Sequence, residues 1–220
     1  EFLKVTDGIT YYNGEPYSGV FYKNYENGQL EKKEVYIDGK RNGLAEIYNE
    51  NGQLFKKVVY KDDKRNGLVE SFYESGQLNT KLVFKDDIAN GLLEAYHENG
   101  QLKEKGFFKG AKLNGITEIY HENGQLFKKI VYIDGKQNGL TKVYNQSGKL
   151  QLKVFFKDDE MNGLAEIYNE SGQLKEKAVY IDGKRNGIVE TYNENGQLTL
   201  KGFFKDDILN GIFETYNESG

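Results

Sequence analysis

The side chains that could support catalysis or bind a metal are few. The chain of 220 residues contains no cysteine and only two histidines, His97 and His121. They stand 24 positions apart, so in neighbouring units of a β-repeat they would lie about 10 Å from each other. Zinc ligands lie about 2.1 Å from the metal, so this separation excludes a shared zinc site and favours two surface residues.

Pairs of aspartates recur and could offer oxygen ligands to calcium. Each pair is followed by an asparagine four residues after its first aspartate, and the pairs are Asp62-Asp63, Asp86-Asp87, Asp158-Asp159 and Asp206-Asp207. Aspartate and asparagine are equally typical of turns, and Gly110-Ala111 and Asp134-Gly135 replace the pair elsewhere. We therefore expect turns at these positions.

Nucleophilic and acid–base catalysis find no support in the sequence. No serine stands near both a histidine and an acid in a recognisable motif, and there is no thiol. The repeated glutamates and lysines are explained by solvated pairs across strands, without any cleft. The sequence predicts no enzyme, no metal site and no cofactor.

Two series of glycines show which elements must position these residues. Glycines recur every 24 residues without insertion or deletion. The first series is Gly19, Gly43, Gly67, Gly91, Gly115, Gly139, Gly163, Gly187 and Gly211, and the second is Gly28, Gly52, Gly76, Gly100, Gly124, Gly148, Gly172, Gly196 and Gly220. A fixed period of this length is typical of units that become stable only by stacking on their neighbours.

Each unit has the pattern of a β-hairpin. In the unit from Gly43 to Asn66, Asn51-Gly52 separates two runs of β-branched and aromatic residues, and Asn-Gly favours a two-residue type I′ turn. A glycine at each end and in the middle leaves no room for a helix. We predict an all-β fold, an elongated array of stacked antiparallel hairpins forming one curled or twisted sheet. Residues 1–18, which include the single proline, are predicted to be an N-terminal cap, and residues 19–220 the array, with its last repeat incomplete.

A two-residue turn at Asn51-Gly52 would pair Glu50 with Gln53 and place Glu46 opposite Lys57. The same counting matches opposite charges in five further hairpins: Glu70 with Lys81, Glu94 with Lys105, Glu118 with Lys129, Glu166 with Lys177, and Glu190 with Lys201. Lys142 is the exception, because it would face Lys153. A bulged three-residue turn would instead make every pair slip.

This register divides the aromatic residues between the two faces of the sheet. Leu44, Glu46 and Tyr48 share one face, and Ala45, Ile47 and Tyr60 share the other. The candidate binding surface is the series in phase with Tyr48, here called the tyrosine row: Tyr48, Phe72, Tyr96, Tyr120, Tyr144, Tyr168, Tyr192 and Tyr216. A second series runs through Tyr36, Tyr60, Phe84, Phe108, Tyr132, Phe156, Tyr180 and Phe204. An exposed apolar surface of this length invites association, so we expect the sheet to curl over one face and leave the other partly solvated.

Composition excludes several classes of protein. The net charge is −4 and lysines occur in every repeat, so there is no basic stripe for a nucleic acid. No apolar run reaches the 18 residues of a transmembrane helix. The absence of cysteine leaves the compartment open, with a lean towards an exported protein.

The residues also resemble a known family. Gly39-Lys40-Arg41-Asn42-Gly43, followed by Tyr48 and Gly52, resembles the MORN repeat over nearly the whole chain. Glu50-Asn51-Gly52-Gln53-Leu54 is similar to the bacterial MORN variant that is often labelled a YwqK-type antitoxin. Where the ordinary repeat has a second glycine two residues after the first, this chain has other residues, beginning with Ala45 and Val69. The resemblance implies a hairpin array that binds protein or membrane surfaces, and it implies no reaction.

The function expected from these observations is a protein-interaction scaffold that presents tyrosine, glutamate and lysine to a protein partner. Carbohydrate or cell-wall binding, membrane association and a passive stalk are the alternatives. The last predicted turn, Asn217-Glu218-Ser219-Gly220, has no return strand in the sequence. We therefore expect the open edge to pair with further repeats or with another chain.

Overall fold

The computed structural model describes residues 3–217, and these residues form strands and turns without a helix. They divide into two compact units, unit 1 over residues 1–112 and unit 2 over residues 113–220. The predicted final turn includes residues 218–220, which lie outside the described residues.

Unit 1 contains a small sheet and a series of hairpins. The small antiparallel sheet is formed by β1 (Lys4–Thr6), β2 (Ile9–Tyr12) and β3 (Glu15–Pro16). The strands that follow are β4 (Gly19–Asn24), β5 (Leu30–Ile37), β6 (Lys40–Arg41), β7 (Gly43–Tyr48), β8 (Leu54–Lys61), β9 (Lys64–Phe72), β10 (Leu78–Lys85), β11 (Ile88–Tyr96) and β12 (Leu102–Lys109). The small sheet joins the hairpins through Thr10, whose N–H donates to the carbonyl of Gly39 at 2.8 Å. The capping role expected of residues 1–18 stays a prediction.

Unit 2 repeats the same hairpins. After the short strand β13 (Lys112–Leu113), its strands are β14 (Gly115–Tyr120), β15 (Leu126–Ile133), β16 (Lys136–Gln137), β17 (Gly139–Tyr144), β18 (Leu150–Lys157), β19 (Glu160–Tyr168), β20 (Leu174–Ile181), β21 (Lys184–Tyr192), β22 (Leu198–Lys205) and β23 (Ile208–Thr215). The long strands of the hairpins pair antiparallel with their neighbours within each unit, and the short strands β6 and β16 pair with β5 and β15. The predicted all-β array of antiparallel hairpins is therefore confirmed.

The tight turn lies at the opposite end of the hairpin from the one predicted. Asp62 and Asp63 both have positive φ, 51° and 65°, and they connect the paired residues Lys61 and Lys64. These are the features of a two-residue type I′ turn. Asparagine and aspartate tolerate this left-handed conformation better than other non-glycine residues, which explains why aspartates fill the positions.

The Asn-Gly end forms a longer connection, so the prediction of a type I′ turn there was wrong. The N–H of Asn49 donates to the carbonyl oxygen of Gln53 at 3.0 Å. The N–H of Gly52 donates to the carbonyl oxygen of Asn49 at 2.9 Å. Of the three residues enclosed, Gly52 alone has a positive φ, 82°. This is a three-residue connection with glycine in the left-handed position, and Glu50 does not pair with Gln53.

The charge pairs nevertheless fall where they were predicted. Tyr48 lies opposite Leu54 and Ile47 lies opposite Lys56, so Phe55 is an extra residue in β8. This bulge cancels the offset introduced by the longer turn. All six predicted glutamate–lysine pairs are confirmed, and so is Lys142 opposite Lys153.

A second bulge explains the first glycine series. Val58 pairs with Val69 but Tyr60 pairs with Arg65, so three residues of β9 face Val59. Gly67, at the centre of these three, has a φ of 129°. A Cβ there would lie 3.1 Å from the Cβ of Val59. Both the backbone conformation and the available space require glycine.

The core lies on the face that carries Ala45, here called the core face. Ala45 pairs with Val58, and Val58 pairs with Val69, and all three are buried. The equivalent buried residues of unit 2 are Thr117, Ile130, Thr141, Val154, Ala165, Ala178 and Val189. These side chains are small or β-branched. The opposite face, which carries Leu44, Glu46 and Tyr48, is called the open face.

Candidate functional site

The tyrosine row lies along the open face, close to the Asn-Gly turns. Tyr48, Phe72 and Tyr96 end β7, β9 and β11 of unit 1. The members in unit 2 are Tyr120, Tyr144, Tyr168, Tyr192 and Tyr216. Every member is half-buried, so each ring presents one part to solvent while the rest packs on the sheet.

Most hydroxyl groups of the row are held by a glutamate two residues earlier on the same strand. Tyr96 donates to Glu94 at 3.0 Å, and Tyr192 donates to Glu190 at 2.9 Å. Burial, this hydrogen bond and the carboxylate charge raise the pKa of Tyr192. The Tyr192 hydroxyl therefore keeps its proton at physiological pH and stays bound to Glu190.

Glutamates and lysines form a continuous line beside the tyrosines, here called the charge row. In unit 1 the row runs through Lys33, Glu46, Lys57, Glu70, Lys81, Glu94 and Lys105. In unit 2 it runs through Glu118, Lys129, Lys142, Lys153, Glu166, Lys177, Glu190, Lys201 and Glu214. Each member lies directly opposite the next on the adjacent strand.

The pairs between hairpins were missed from the sequence. Lys33 lies opposite Glu46, and their side chains approach to 3.3 Å. Counting outward from the tight turn at Asp38 would have placed Lys33 against Leu44 instead. The bulge around Gly43 shifts the register by two residues, and the spacing alone does not reveal it.

The charge row alternates in sign except around Lys142. Lys142 lies opposite Lys129 on one side and Lys153 on the other. The Lys129 ammonium turns to Glu118 at 2.9 Å, and the Lys153 ammonium turns to Glu166 at 2.7 Å. The hydrogen bond from Lys153 lowers the pKa of Glu166. Over residues 3–217, Lys142 is thus the one lysine of the row whose two row neighbours are both lysines.

An apolar row completes the open face. It consists of residues that alternate with the charge row along each strand, paired across strands. The pairs are Val20 with Val35, Leu44 with Val59, Leu68 with Val83, and Leu92 with Phe107 in unit 1, and Ile116 with Val131, Leu140 with Phe155, Leu164 with Val179, and Ile188 with Phe203 in unit 2. Many are well exposed, including Phe107 at 47% and Ile188 at 44%.

The aspartate pairs join successive repeats. The Asp63 carboxylate accepts hydrogen bonds from the backbone N–H of Arg41 at 2.9 Å and from its Nε at 3.0 Å. The Arg41 guanidinium stacks 4.1 Å from the centre of the Tyr60 ring. In the equivalent pair, hydrogen bonds from Arg65 lower the pKa of Asp87. Among the described residues no group of three His, Cys, Asp or Glu side chains could hold a metal ion.

The histidines belong to the connections between neighbouring Asn-Gly turns. His121 Nε2 lies 3.3 Å from the carbonyl oxygen of Tyr144. Residues at the same position of other repeats make the same contact. The Tyr25 hydroxyl donates to the carbonyl oxygen of Tyr48, and the Tyr73 hydroxyl donates to the carbonyl oxygen of Tyr96. Each of these contacts joins two residues 23 positions apart, which is close to the length of one repeat.

An aromatic cleft lies where the small sheet of unit 1 meets β4. It is lined by Tyr12, Tyr17, Phe21 and Tyr22 together with Leu3, Lys23 and Asn24. The rings of Tyr12 and Tyr17 meet edge to face with centroids 6.0 Å apart. Tyr22 is 58% exposed, so part of this aromatic surface is open to solvent.

The repeated turns, bulges and rows match a known repeat. The family model described as the MORN repeat variant matches eight tandem segments, residues 17–38, 41–62, 65–86, 89–109, 113–134, 137–158, 161–182 and 185–206. The chain belongs to the MORN repeat variant family. Each matched segment of this MORN array except the fourth ends at the first residue of a tight turn. A comparison with curated proteins found no match. No helix in residues 3–217 is long and apolar enough to cross a membrane.

Proposed function

We propose that this MORN array is a non-enzymatic scaffold that binds a protein partner on its open face. The observation that carries the proposal is the exposed apolar row lying between ordered polar groups. Ile188 and Phe203 are each 44% exposed although they face each other across two paired strands. Exposed apolar surface bordered by charge is typical of protein-binding sites.

The tyrosine and charge rows add directional contacts beside this apolar surface. The hydroxyls of Tyr120 and Tyr192 are already held by Glu118 and Glu190, so binding would order few additional side chains. A fixed aromatic ring loses little conformational entropy when a partner docks. The row therefore favours recognition of a protein surface.

The proposal is tested with binders selected from a random dodecapeptide library displayed on phage. Affinities of the selected peptides are measured by calorimetry for the wild type, for Ile188→Asp on the open face, and for Ile167→Asp as a matched control. Ile167 is 37% exposed and alternates with the buried Ala165, so it lies on the core face. We expect Ile188→Asp to weaken binding about tenfold or more and Ile167→Asp to leave it within about twofold. Equal loss in both variants would refute open-face binding.

The narrower antitoxin role remains a hypothesis within this proposal. Under it, the partner on the open face would be a toxin whose activity the array blocks. The measurement is inhibition of a toxin encoded beside the gene, compared between the wild type and Ile188→Asp. Inhibition by both proteins alike would separate any antitoxin activity from the open face.

Carbohydrate binding is the second candidate, and the aromatic cleft of unit 1 favours it. Tyrosine rings exposed in a cleft can stack on the apolar faces of sugars. Sedimentation with insoluble peptidoglycan or cellulose tests this function, with Tyr22→Ala as the variant. Retention of the wild type but not of Tyr22→Ala would support it, and no retention of either would exclude these two polymers.

A further inference from the structure

We propose that Lys142 and its neighbours form a binding site for a single carboxylate, supplied by an aspartate or glutamate within an apolar segment of the protein partner. The inference rests on the proposed open-face function and names the chemistry of the partner. It concerns one place in unit 2, where two neighbouring repeats meet, whereas the apolar row recurs along the hairpins of both units.

The site is created by strand pairing. Lys129, Lys142 and Lys153 occupy directly opposed positions on β15, β17 and β18, and paired strands lie about 4.8 Å apart. Lys129 and Lys153 both direct their ammonium groups away from Lys142 and towards glutamates. Lys142 therefore has no carboxylate directly opposite it on either adjacent strand, and an incoming anion would supply one.

The sign of the charge at residue 142 opposes the pattern of the fold. The corresponding residues of the neighbouring repeats are Glu118 and Glu166, and each pairs with a lysine. Lysine at residue 142 replaces two attractive contacts with two repulsive ones. An alternation of charge that holds along the row and fails at one position is typical of a functional site.

The surroundings favour one carboxylate over a polyanion. Glu118 and Glu166 stand at both ends of the three lysines and confine the positive potential to the middle of the cluster. A nucleic acid backbone or an anionic membrane would place further negative charges against these glutamates. A single carboxylate meets the lysines alone.

The same strands supply apolar contacts on either side of the carboxylate. Leu140 lies two residues before Lys142 on β17 and pairs with Phe155, which is 45% exposed. Tyr144 lies two residues after Lys142. Most tyrosines of the row lie two residues after a glutamate, so Tyr144 differs from them in having a lysine at this position. An acidic residue with an apolar or aromatic residue on each side fits this arrangement.

The test is a titration of the ¹⁵N-labelled chain with the capped pentapeptide acetyl-Val-Phe-Glu-Leu-Val-amide, followed by backbone amide shifts. Its glutamine counterpart and inorganic phosphate serve as comparison probes. We expect saturable shifts that centre on Lys142, Tyr144 and Phe155, with the glutamine peptide binding about tenfold more weakly. Phosphate is expected to shift these amides less than the glutamate peptide at equal concentration.

Lys142→Gln is the variant, and Lys177→Gln is the matched control. Lys177 occupies an alternating part of the row, between Glu166 and Glu190. We expect Lys142→Gln to reduce affinity for the glutamate peptide about tenfold, Lys142→Arg to restore most of it, and Lys177→Gln to leave it within about twofold. Unchanged circular dichroism spectra would show that all the variants are folded.

Three outcomes would overturn the site: no saturable shift at residue 142, equal affinity for the glutamate and glutamine peptides, or stronger binding of phosphate. Each is distinguishable from failure of the proposed function. If selected dodecapeptides lose affinity with Ile188→Asp while Lys142→Gln changes nothing, the scaffold function stands and the carboxylate site is refuted. If Ile188→Asp has no effect but the glutamate peptide still requires Lys142, the site stands and binding along the whole face is refuted.

Discussion

Val154 and Phe155 are neighbours on one strand of unit 2, yet they lie on opposite faces and differ sharply in exposure. Val154 is 1% exposed on the core face, and Phe155 is 45% exposed on the open face. Val154 pairs with the buried residues Thr141 and Ala165 on the core face, whereas Phe155 pairs with Leu140 on the open face. Burial in this protein therefore follows the face of the strand rather than hydrophobicity.

The two faces of the sheet contribute differently to the stability of the protein. The core face supplies stability through apolar contacts, which need no charge. The open face is ordered by ion pairs and by hydroxyl–carboxylate hydrogen bonds, each of which contributes little to stability at a solvated position. Substitutions on the open face should therefore cost less stability than substitutions on the core face.

The largest expected effect comes from introducing the same charge on each face in turn. Val154→Asp buries an unpaired carboxylate and should destabilise unit 2 by more than about 3 kcal/mol. Phe155→Asp keeps its carboxylate in solvent and should lose at most about 1 kcal/mol. Urea unfolding at pH 7, followed by circular dichroism, measures both. Equal destabilisation would show that the two faces are not distinct.

The next-largest effect concerns steric crowding between Gly67 and Val59. Gly67→Ala places a methyl group against Val59 at an unfavourable φ, and should lose about 2 kcal/mol. Gly183 has a φ of 78°, and no atom lies within 4 Å of the position that a Cβ would occupy there, so Gly183→Ala should lose only about 1 kcal/mol through conformational strain. Val59→Ala added to Gly67→Ala should recover part of the loss. Absence of any recovery would assign the effect to φ and to the Cβ of residue 59, which alanine keeps.

A smaller effect, of opposite sign, is expected at Lys142. Lys142→Glu restores alternation with Lys129 and Lys153, and should raise the free energy of unfolding by about 1 kcal/mol. The matched change Lys177→Glu places three glutamates in a line and should lower it by a similar amount. Both differences should shrink in 1 M salt, where exposed charges are screened. A Lys142→Glu protein less stable than the wild type would contradict the repulsion inferred from the pairing.

The last effect is absent at neutral pH and concerns a carboxylate on the core face. Glu34 is 6% exposed, occupies the position that Val58 fills one repeat later, and accepts a hydrogen bond from the Tyr36 hydroxyl at 3.2 Å. Burial, followed by the charge and hydrogen bond of Glu34, raises the pKa of Tyr36 to about 12. Because the folded pKa exceeds the unfolded value of about 10, this stabilisation is complete below pH 10 and is lost as the pH rises through 12.

Absorbance at 295 nm between pH 9 and 12.5, recorded beside circular dichroism, measures this ionisation. Tyr36→Phe removes the group and should reduce the loss of stability above pH 10. Ionisation of every tyrosine near pH 10 in the folded protein would contradict the shift.

Much of the fold followed from local sequence. The glycine period predicted hairpins, and counting from Gly52 predicted that Glu46 faces Lys57. That count succeeded for a reason not visible in the sequence, because the bulge at Phe55 compensates for a longer turn. The type I′ turn was assigned to Asn51-Gly52 although the aspartate pairs adopt it. Asn-Gly suits both a type I′ turn and a longer turn closed by glycine, so the dipeptide alone does not distinguish them.

The position of the tyrosine row was predicted, and its role as a binding surface stays a prediction. The tyrosine row was identified from its phase, and the structure places it on the open face with its hydroxyls held by glutamates. The apolar row beside it was not proposed as part of the surface. Exposure of Ile188 or Phe203 depends on which face the protein covers, and both faces carry apolar residues in the sequence.

By itself the sequence determined the 24-residue hairpin, the family and the opposed pair Lys142 and Lys153, since these depend on residues near one another along the chain. Tertiary structure decided which face of the sheet is buried. It also placed Lys142 opposite Lys129. The second of these depends on the bulge between successive hairpins, where Gly139 allows β17 to shift register against β15. A shift of this kind is set by packing and backbone conformation at one glycine, and no count of residues reveals it.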